Sequence, residues 1–164
     1  MMNHSIFSVQ TICLLIMIGH NIGESDRICV LLASGVRIAQ CLGLHRLGRD
    51  PVFEITEKTS DEVILGIQRR LIDREISKRA WWFLIRQDWL QIPFMNTYSI
   101  HPSQFNTPMP KHCHDDVSRM IVDGIVIDQD PEVYTNGSYI NLMNKGLHSC
   151  SSCRMCFVCF CFCC

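Results

Sequence analysis

The sequence predicts an all-α fold: a helical hairpin, then a long buried helix carrying a Trp-Trp pair, then an extended Pro-containing loop and an irregular C-terminal tail. Three observations predict it. Apolar residues recur at helical spacing from Ile28 to Leu42. A second helical pattern runs from Val63 to Ile92 and meets no proline before Pro93, apolar nearly all round in its second half. The prolines gather elsewhere, with Pro102, Pro108, Pro110 and Pro131 all beyond Ser99.

The first element, residues 5–22, is apolar on most faces and ends at Gly23. Its longest apolar run, Ile12 to Ile18, is seven residues, whereas a spanning helix needs ~20. No Lys or Arg precedes that run, so the charged start of a secretory signal is missing. A buried core helix and no membrane partner are expected. The second element, residues 25–42, places Ile28, Leu31, Leu32, Gly35, Ala39 and Leu42 on one helical face. Gly43 follows, where a left-handed C-terminal residue belongs. The link at Gly23-Glu24 is short, so the two helices form an antiparallel hairpin.

The third element opens at Thr59-Ser60-Asp61-Glu62. Thr59 and Glu62 have capping-box spacing. Val63, Ile64, Ile67 and Leu71 carry the first apolar face. Ile76, Ala80, Phe83, Leu84 and Gln87 continue it, and Trp82, Ile85, Trp89 and Ile92 form a second stripe. A helix apolar on opposite sides lies between neighbours. Trp81, Trp82 and Trp89 read as core rather than as pocket walls. Pro93 ends the helix. From Ser99 to Pro131 an extended loop wraps the helices, with a strand-like run at Met120 to Ile127. A short helix over residues 138–144 follows the Asn136-Gly137 turn.

Charge and motifs narrow the function. The 164 residues hold 15 Lys+Arg against 16 Asp+Glu, a net charge of −1. Bulk electrostatic binding to nucleic acid needs a basic surplus. Arg69, Arg70, Arg74, Lys78 and Arg79 are interleaved with acids and read as a solvated, salt-bridged face. No Gly-rich phosphate loop, G-x-S-x-G or H-E-x-x-H is present, so an enzyme is not expected. His112-Cys113-His114-Asp115-Asp116 has ligand-type side chains, but neighbours in an extended chain point apart, and it reads as a polar loop.

Four of the 11 cysteines, Cys13, Cys29, Cys41 and Cys113, are scattered and read as small buried hydrophobes. The other seven crowd into the last 15 residues. There Cys150, Cys153, Cys156 and Cys159 form overlapping C-x-x-C pairs, weak candidates for zinc or an iron–sulfur cluster. The tail also reads as low-complexity sequence without a site.

Two stretches together resemble a known family. Arg27 to Arg46, with Arg37, Ala39, Leu42, Gly43, Leu44, His45 and Arg46, resembles the "A-x-R-x-A-x-x-L-G-L-H-R" helix of the fungal-specific transcription factor domain. Lys78 to Asp88, with Arg79, Trp81, Trp82 and Asp88, resembles the "R-R-x-W-W-x-x-x-x-x-D" helix that follows it. Ser8-Val9-Gln10-Thr11 is similar to the family's "Q-x-L-L-L" opening, and Ser99 to Pro110 falls where the family carries "G-R-P…D-x-P-L-P". Thr97-Tyr98-Ser99 departs from the usual Gly-Arg-Pro.

The resemblance covers residues 5–112 as a partial regulatory domain, leaving 113–149 as loop and short helix and 150–164 as the Cys-rich tail. It implies an all-α middle region of a fungal zinc-cluster transcription factor, acting in the nucleus through protein partners. DNA contact and zinc belong to a separate six-cysteine module. Cys150-x-x-Cys153-Arg154 resembles that module's opening, but Phe160 stands where its third cysteine belongs. No metal or DNA contact is therefore carried onto this chain, and no cofactor is expected in it. The pattern ends at Lys145, so a truncated domain is expected, exposing Trp82, Trp89 and Ile92. The alternatives are a free-standing helical interaction module and a small metal-binding protein using the tail.

Overall fold

The structure, a computed structural model, describes residues 5–23, 25–92 and 96–150. It is mostly helical, as the apolar periodicity predicts. Helix α1 spans Ile6–Ile22 and helix α2 spans Ser25–Cys41. Gly23 adopts φ 75° and its amide bonds the Gly19 carbonyl, which closes α1. A left-handed residue is cheapest for glycine, which has no Cβ to clash. α1 and α2 pack along their length as a hairpin. Close approach is built in at Gly35, where an added Cβ would stand 2.9 Å from Ile12 Cγ2 and 3.2 Å from Leu84 Cδ2. That position marks where three helices meet.

Helix α3, Asp61–Leu90, is the axis of the molecule. Its N-cap is Ser60, with no side-chain capping bond. The Thr59–Glu62 capping box does not form, because Thr59 Oγ1 instead accepts from the Thr56 amide at 3.0 Å. The second half of α3 is buried nearly all round by Trp81, Trp82, Leu84, Ile85 and Trp89. These join Val9, Ile16, Ile28, Leu32, Val36 and Ala39 of the hairpin in the main core. A second cluster, Ile67, Leu71, Cys113, Met120, Ile121 and Val126, covers the N-terminal half. Val63 lies outside both and is exposed, so the apolar face of the first turns is narrower than expected.

Beyond α3 the chain is an extended strap with a 3-10 turn at Pro102–Gln104. It leads to a one-turn helix α4, Val117–Met120, and a minimal hairpin of β1, Ile121–Val122, and β2, Ile125–Val126. Ile121 pairs with Val126, and Val122 with Ile125. The turn is Asp123-Gly124, with φ 49° and 75°. Positive φ at both central residues is the twist that suits a two-residue hairpin. The strand-like run is therefore two short strands folded on themselves. Helix α5, Ser138–Cys150, runs longer than the expected 138–144.

α5 also corrects the expected exposure of the tryptophans. Leu147 joins the main core, and the His148 ring meets Trp82 edge-on at 5.9 Å. Trp82 and Trp89 are only 3% and 2% exposed, and Ile92 is half-buried. The bare apolar surface lies instead on α1, where Phe7, Leu14, Leu15, Met17, Ile18 and Ile22 are exposed. α1 is thus not a buried core helix: Val9, Ile16 and Gly19 face the hairpin, and no described element covers its other side.

Candidate functional site

The resemblance-bearing residues are mostly joints of the scaffold. Asp88 sits near the end of α3, where the chain must reverse. Its Oδ2 accepts from the Ser99 and Ile100 amides at 2.8 and 2.7 Å, and its Oδ1 from Ser99 at 3.0 Å. Trp89 Nε1 donates to the Ile100 carbonyl at 2.8 Å, so the same turn is held twice. Trp82 Nε1 donates to the Pro108 carbonyl at 2.9 Å. Thr107 Oγ1 donates to the Leu44 carbonyl at 2.6 Å and accepts from the Leu47 amide at 3.1 Å. The strap is thereby stitched to the turn after α2.

Trp81 is buried between the rings of His45 and Phe105, each with its centroid 5.9 Å away. Burial pushes His45 below its ordinary value, with Arg46 adding to the effect. Gly43 takes φ 76°, Leu44 and Ala39 are buried, and Leu42 is half-buried. Arg37 and Arg46 are exposed, and Arg37 donates to Gln40 at 3.3 Å.

The charged run of α3 is not a solvated face. Arg69 and Arg70 are exposed, but Lys78 and Glu75 are each 1% exposed. Lys78 Nζ lies 2.6 Å from Glu75 Oε2 and 3.2 Å from Asp50 Oδ2. Arg74 donates to Asp50 at 3.0 Å and to the carbonyls of Leu47, Gly48 and Arg49 at 2.8–3.0 Å. Glu75 Oε1 accepts from the Lys111 amide at 2.7 Å. Burial raises Asp50, but Arg74 and Lys78 outweigh it and hold the carboxyl below its ordinary value. These charges are buried because two loops fold over them, which helical spacing does not reveal.

The His112–Asp116 segment is likewise structural. His112 Nε2 is 2.8 Å from Ser138 Oγ, and Asp115 pairs with Arg79 at 2.7 Å. Arg79 also donates to Cys113 Sγ at 3.4 Å. Cys113 is buried, and burial with nearby Glu75 pushes its thiol up despite Arg79. An activated nucleophile needs the opposite shift. Cys13 is half-buried and pushed up to about 12 by burial, whereas Cys41 is exposed, contrary to its reading as a buried hydrophobe.

Among the described residues no three His, Cys, Asp or Glu side chains are grouped to hold a metal ion. Cys153, Cys156 and Cys159 lie outside the described residues, as does the Cys150 side chain. No helix among the described residues is long and apolar enough to cross a membrane.

A cleft of about 480 Å³ lies between α1, α3, α5 and the strap. Cys13, Leu14, Met17, Phe83 and Ile140 give it apolar walls. Arg86 opens onto it while only 9% exposed, and is stacked over Phe83 at 5.2 Å. Periodicity placed Trp82 and Phe83 in the core and passed over Arg86. The available signal was its neighbours at three and four positions, Trp82, Phe83, Trp89 and Leu90, none of which is an acid.

No family model matches the chain, and no solved structure matches it. A search of curated proteins finds the probable transcription factor lepB of Aspergillus flavus, 31% identical over 119 residues. The match takes in 68% of this chain and 19% of that protein, so the chain spans about a fifth of the relative's length. Over 68% of its length, then, the chain is related by sequence to a probable fungal transcription factor.

Proposed function

We propose that this chain serves transcription regulation in the nucleus, as a piece of the regulatory region of a fungal zinc-cluster transcription factor. The similarity to lepB carries this reading. The scaffold supports it: the resemblance-bearing residues Asp88, Trp82, Trp81 and Arg79 hold one helical framework together. DNA contact and zinc belong to a module elsewhere in such a regulator. Arg74, Lys78 and Arg79 of α3 are folded into ion pairs, and the two exposed arginines, Arg69 and Arg70, make no phosphate-binding stripe by themselves. The apolar face of α1 suits protein partners. No bond-making role is assigned to any residue.

The test has two parts. The chain is fused to an unrelated DNA-binding domain in a fungal reporter strain, and its transcript is sequenced from 5′ end to poly(A) tail. The proposal expects a reporter output that differs from the DNA-binding domain alone, and an open frame for a six-cysteine cluster upstream. An inert fusion together with a transcript lacking that frame would overturn it. The free-standing interaction module then becomes the better reading.

A further inference from the structure

The cleft between α1, α3 and α5 holds a cation that no described carboxylate neutralises. Arg86 donates from one guanidinium nitrogen to Asn144 Oδ1 at 3.1 Å and stacks on Phe83. The other cations of the cleft are satisfied. Arg79 is paired with Asp115 at 2.7 Å, and Lys111 Nζ donates to the Val126 carbonyl at 3.1 Å. The groups that act electrostatically on Arg86 are Tyr139 and Cys13, neither of them a carboxylate, and burial lowers its basicity.

Asn144 adds a second mark. It is 1% exposed, its Oδ1 is used by Arg86, and its Nδ2 meets no acceptor among the described residues. A buried charge without a partner is costly and is ordinarily matched by an opposite charge. Here the opposite charge has a route in, because the guanidinium borders open space.

We infer that this cleft binds a small amphipathic carboxylic acid, its carboxylate on Arg86 and its apolar body along Leu14, Met17, Phe83 and Ile140. A planar guanidinium suits a carboxylate, which accepts two parallel N–H bonds. The volume of about 480 Å³ is that of a small-molecule site. The apolar walls supply affinity and Arg86 selects the charged head. Such a ligand would clamp α5 to the hairpin, since Asn144 and Ile140 lie on α5 and Leu14 and Met17 on α1. The inference stands apart from the transcriptional reading, because its test measures binding alone.

The probe pair is decanoate and 1-decanol, titrated into the full 164-residue chain by calorimetry and ligand-observed NMR. Decanoate is expected to saturate one site. Arg86→Met should weaken decanoate by at least about tenfold and decanol by less than about twofold, as loss of a charge-assisted bond implies. Asn144→Asp, which supplies Arg86 with an internal carboxylate, should remove the preference for decanoate over decanol. It serves where Arg86→Met fails to fold, judged by circular dichroism. Ile140→Glu, at an exposed lip position, should weaken both probes. Absence of saturable decanoate binding would overturn the inference. So would an unchanged decanoate affinity in the folded Arg86 or Asn144 variant, or an equal loss for both probes in the Arg86 variant.

Discussion

Replacing Asp88 by alanine tests whether the reversal after α3 hangs on one carboxylate. Three contacts of 2.7–3.0 Å join Asp88 to two backbone amides, of which the Ile100 amide is fully buried. Asp88 is itself 4% exposed. Its removal leaves both amides without their acceptor, and a stranded buried donor costs about 1–3 kcal/mol. With the buried Ile100 amide stranded and the exposed Ser99 able to turn its amide to water, Asp88→Ala should cost about 2–3 kcal/mol. A domain stable by only ~5–15 kcal/mol would lose a large share of that.

Asp88→Asn separates charge from geometry. Its one carbonyl oxygen, placed where Oδ2 stands, keeps the 2.8 and 2.7 Å contacts, while its amide confronts the Ser99 N–H. It should cost about half as much, since hydrogen bonds to charged groups exceed neutral ones roughly twofold. The assay is urea denaturation followed by tryptophan fluorescence, with hydrogen exchange read at Ile100. Both variants should speed exchange at Ile100 and free Trp89 from the Ile100 carbonyl. A loss below about 1 kcal/mol for alanine, with Ile100 protection intact, would refute the reasoning, because the strap would then be held by its other bonds.

Three further outcomes are expected. First, His45 and Asp50 both have lowered values in the folded state, so the unfolded chain takes up protons more readily on acidification. The His45 contribution is fully present above about pH 6.5 and is lost as pH falls through its folded value; that of Asp50 is present above about pH 4 and lost below. Thermal melts from neutral to acid pH should show both steps, and His45→Gln should flatten the upper one; an unchanged upper slope would count against a lowered His45 value. Second, iodoacetamide at mildly alkaline pH should modify exposed Cys41 quickly and spare Cys13 and Cys113, whose thiols burial holds protonated. Peptide mapping by mass spectrometry reads this, and rapid labelling of Cys113 would contradict its burial. Third, Ile18→Lys with Ile22→Lys, at positions 55% and 67% exposed, should reduce apolar-dye binding and self-association. The melting temperature should move little, since exposed substitutions stay within about 0.5 kcal/mol each; unfolding of the pair would mean that this face is packed.

The helices were legible because their signals are local. Ile28, Leu32 and Ala39 announce one buried face, and Gly23 and Gly43 announce where the first two helices stop. Trp81, Trp82 and Trp89 are core as their helical spacing predicts, whereas the exposure of Trp82 and Trp89 expected from truncation is not found. What stayed hidden depends on contacts distant in sequence. Lys78 resembles any surface lysine until Asp50, 28 residues away, folds over it. Trp82 is covered by His148 of α5, and Arg86 is joined to Asn144 of the same helix, 58 residues away. The capping box failed for a local reason, since Thr59 is already engaged in its own preceding turn. The cleft was illegible because its walls come from four separated segments of chain.

A division of labour follows from where the resemblance-bearing residues sit. Asp88, Trp82 and Arg79 are engaged inward, each with a strap residue, and have little left to offer a ligand. They specify the framework and leave its purpose open. Arg86, only two residues from Asp88, has the opposite character: it is buried, yet no described carboxylate answers its charge. Exchanging it for Met should cost the fold about 1–3 kcal/mol, the penalty of leaving the buried Asn144 Oδ1 without its donor, and no more, since no ion pair is broken. If the loss went beyond about 3 kcal/mol, Arg86 would belong to the framework as well, and the cleft would have no cation to spare for a ligand.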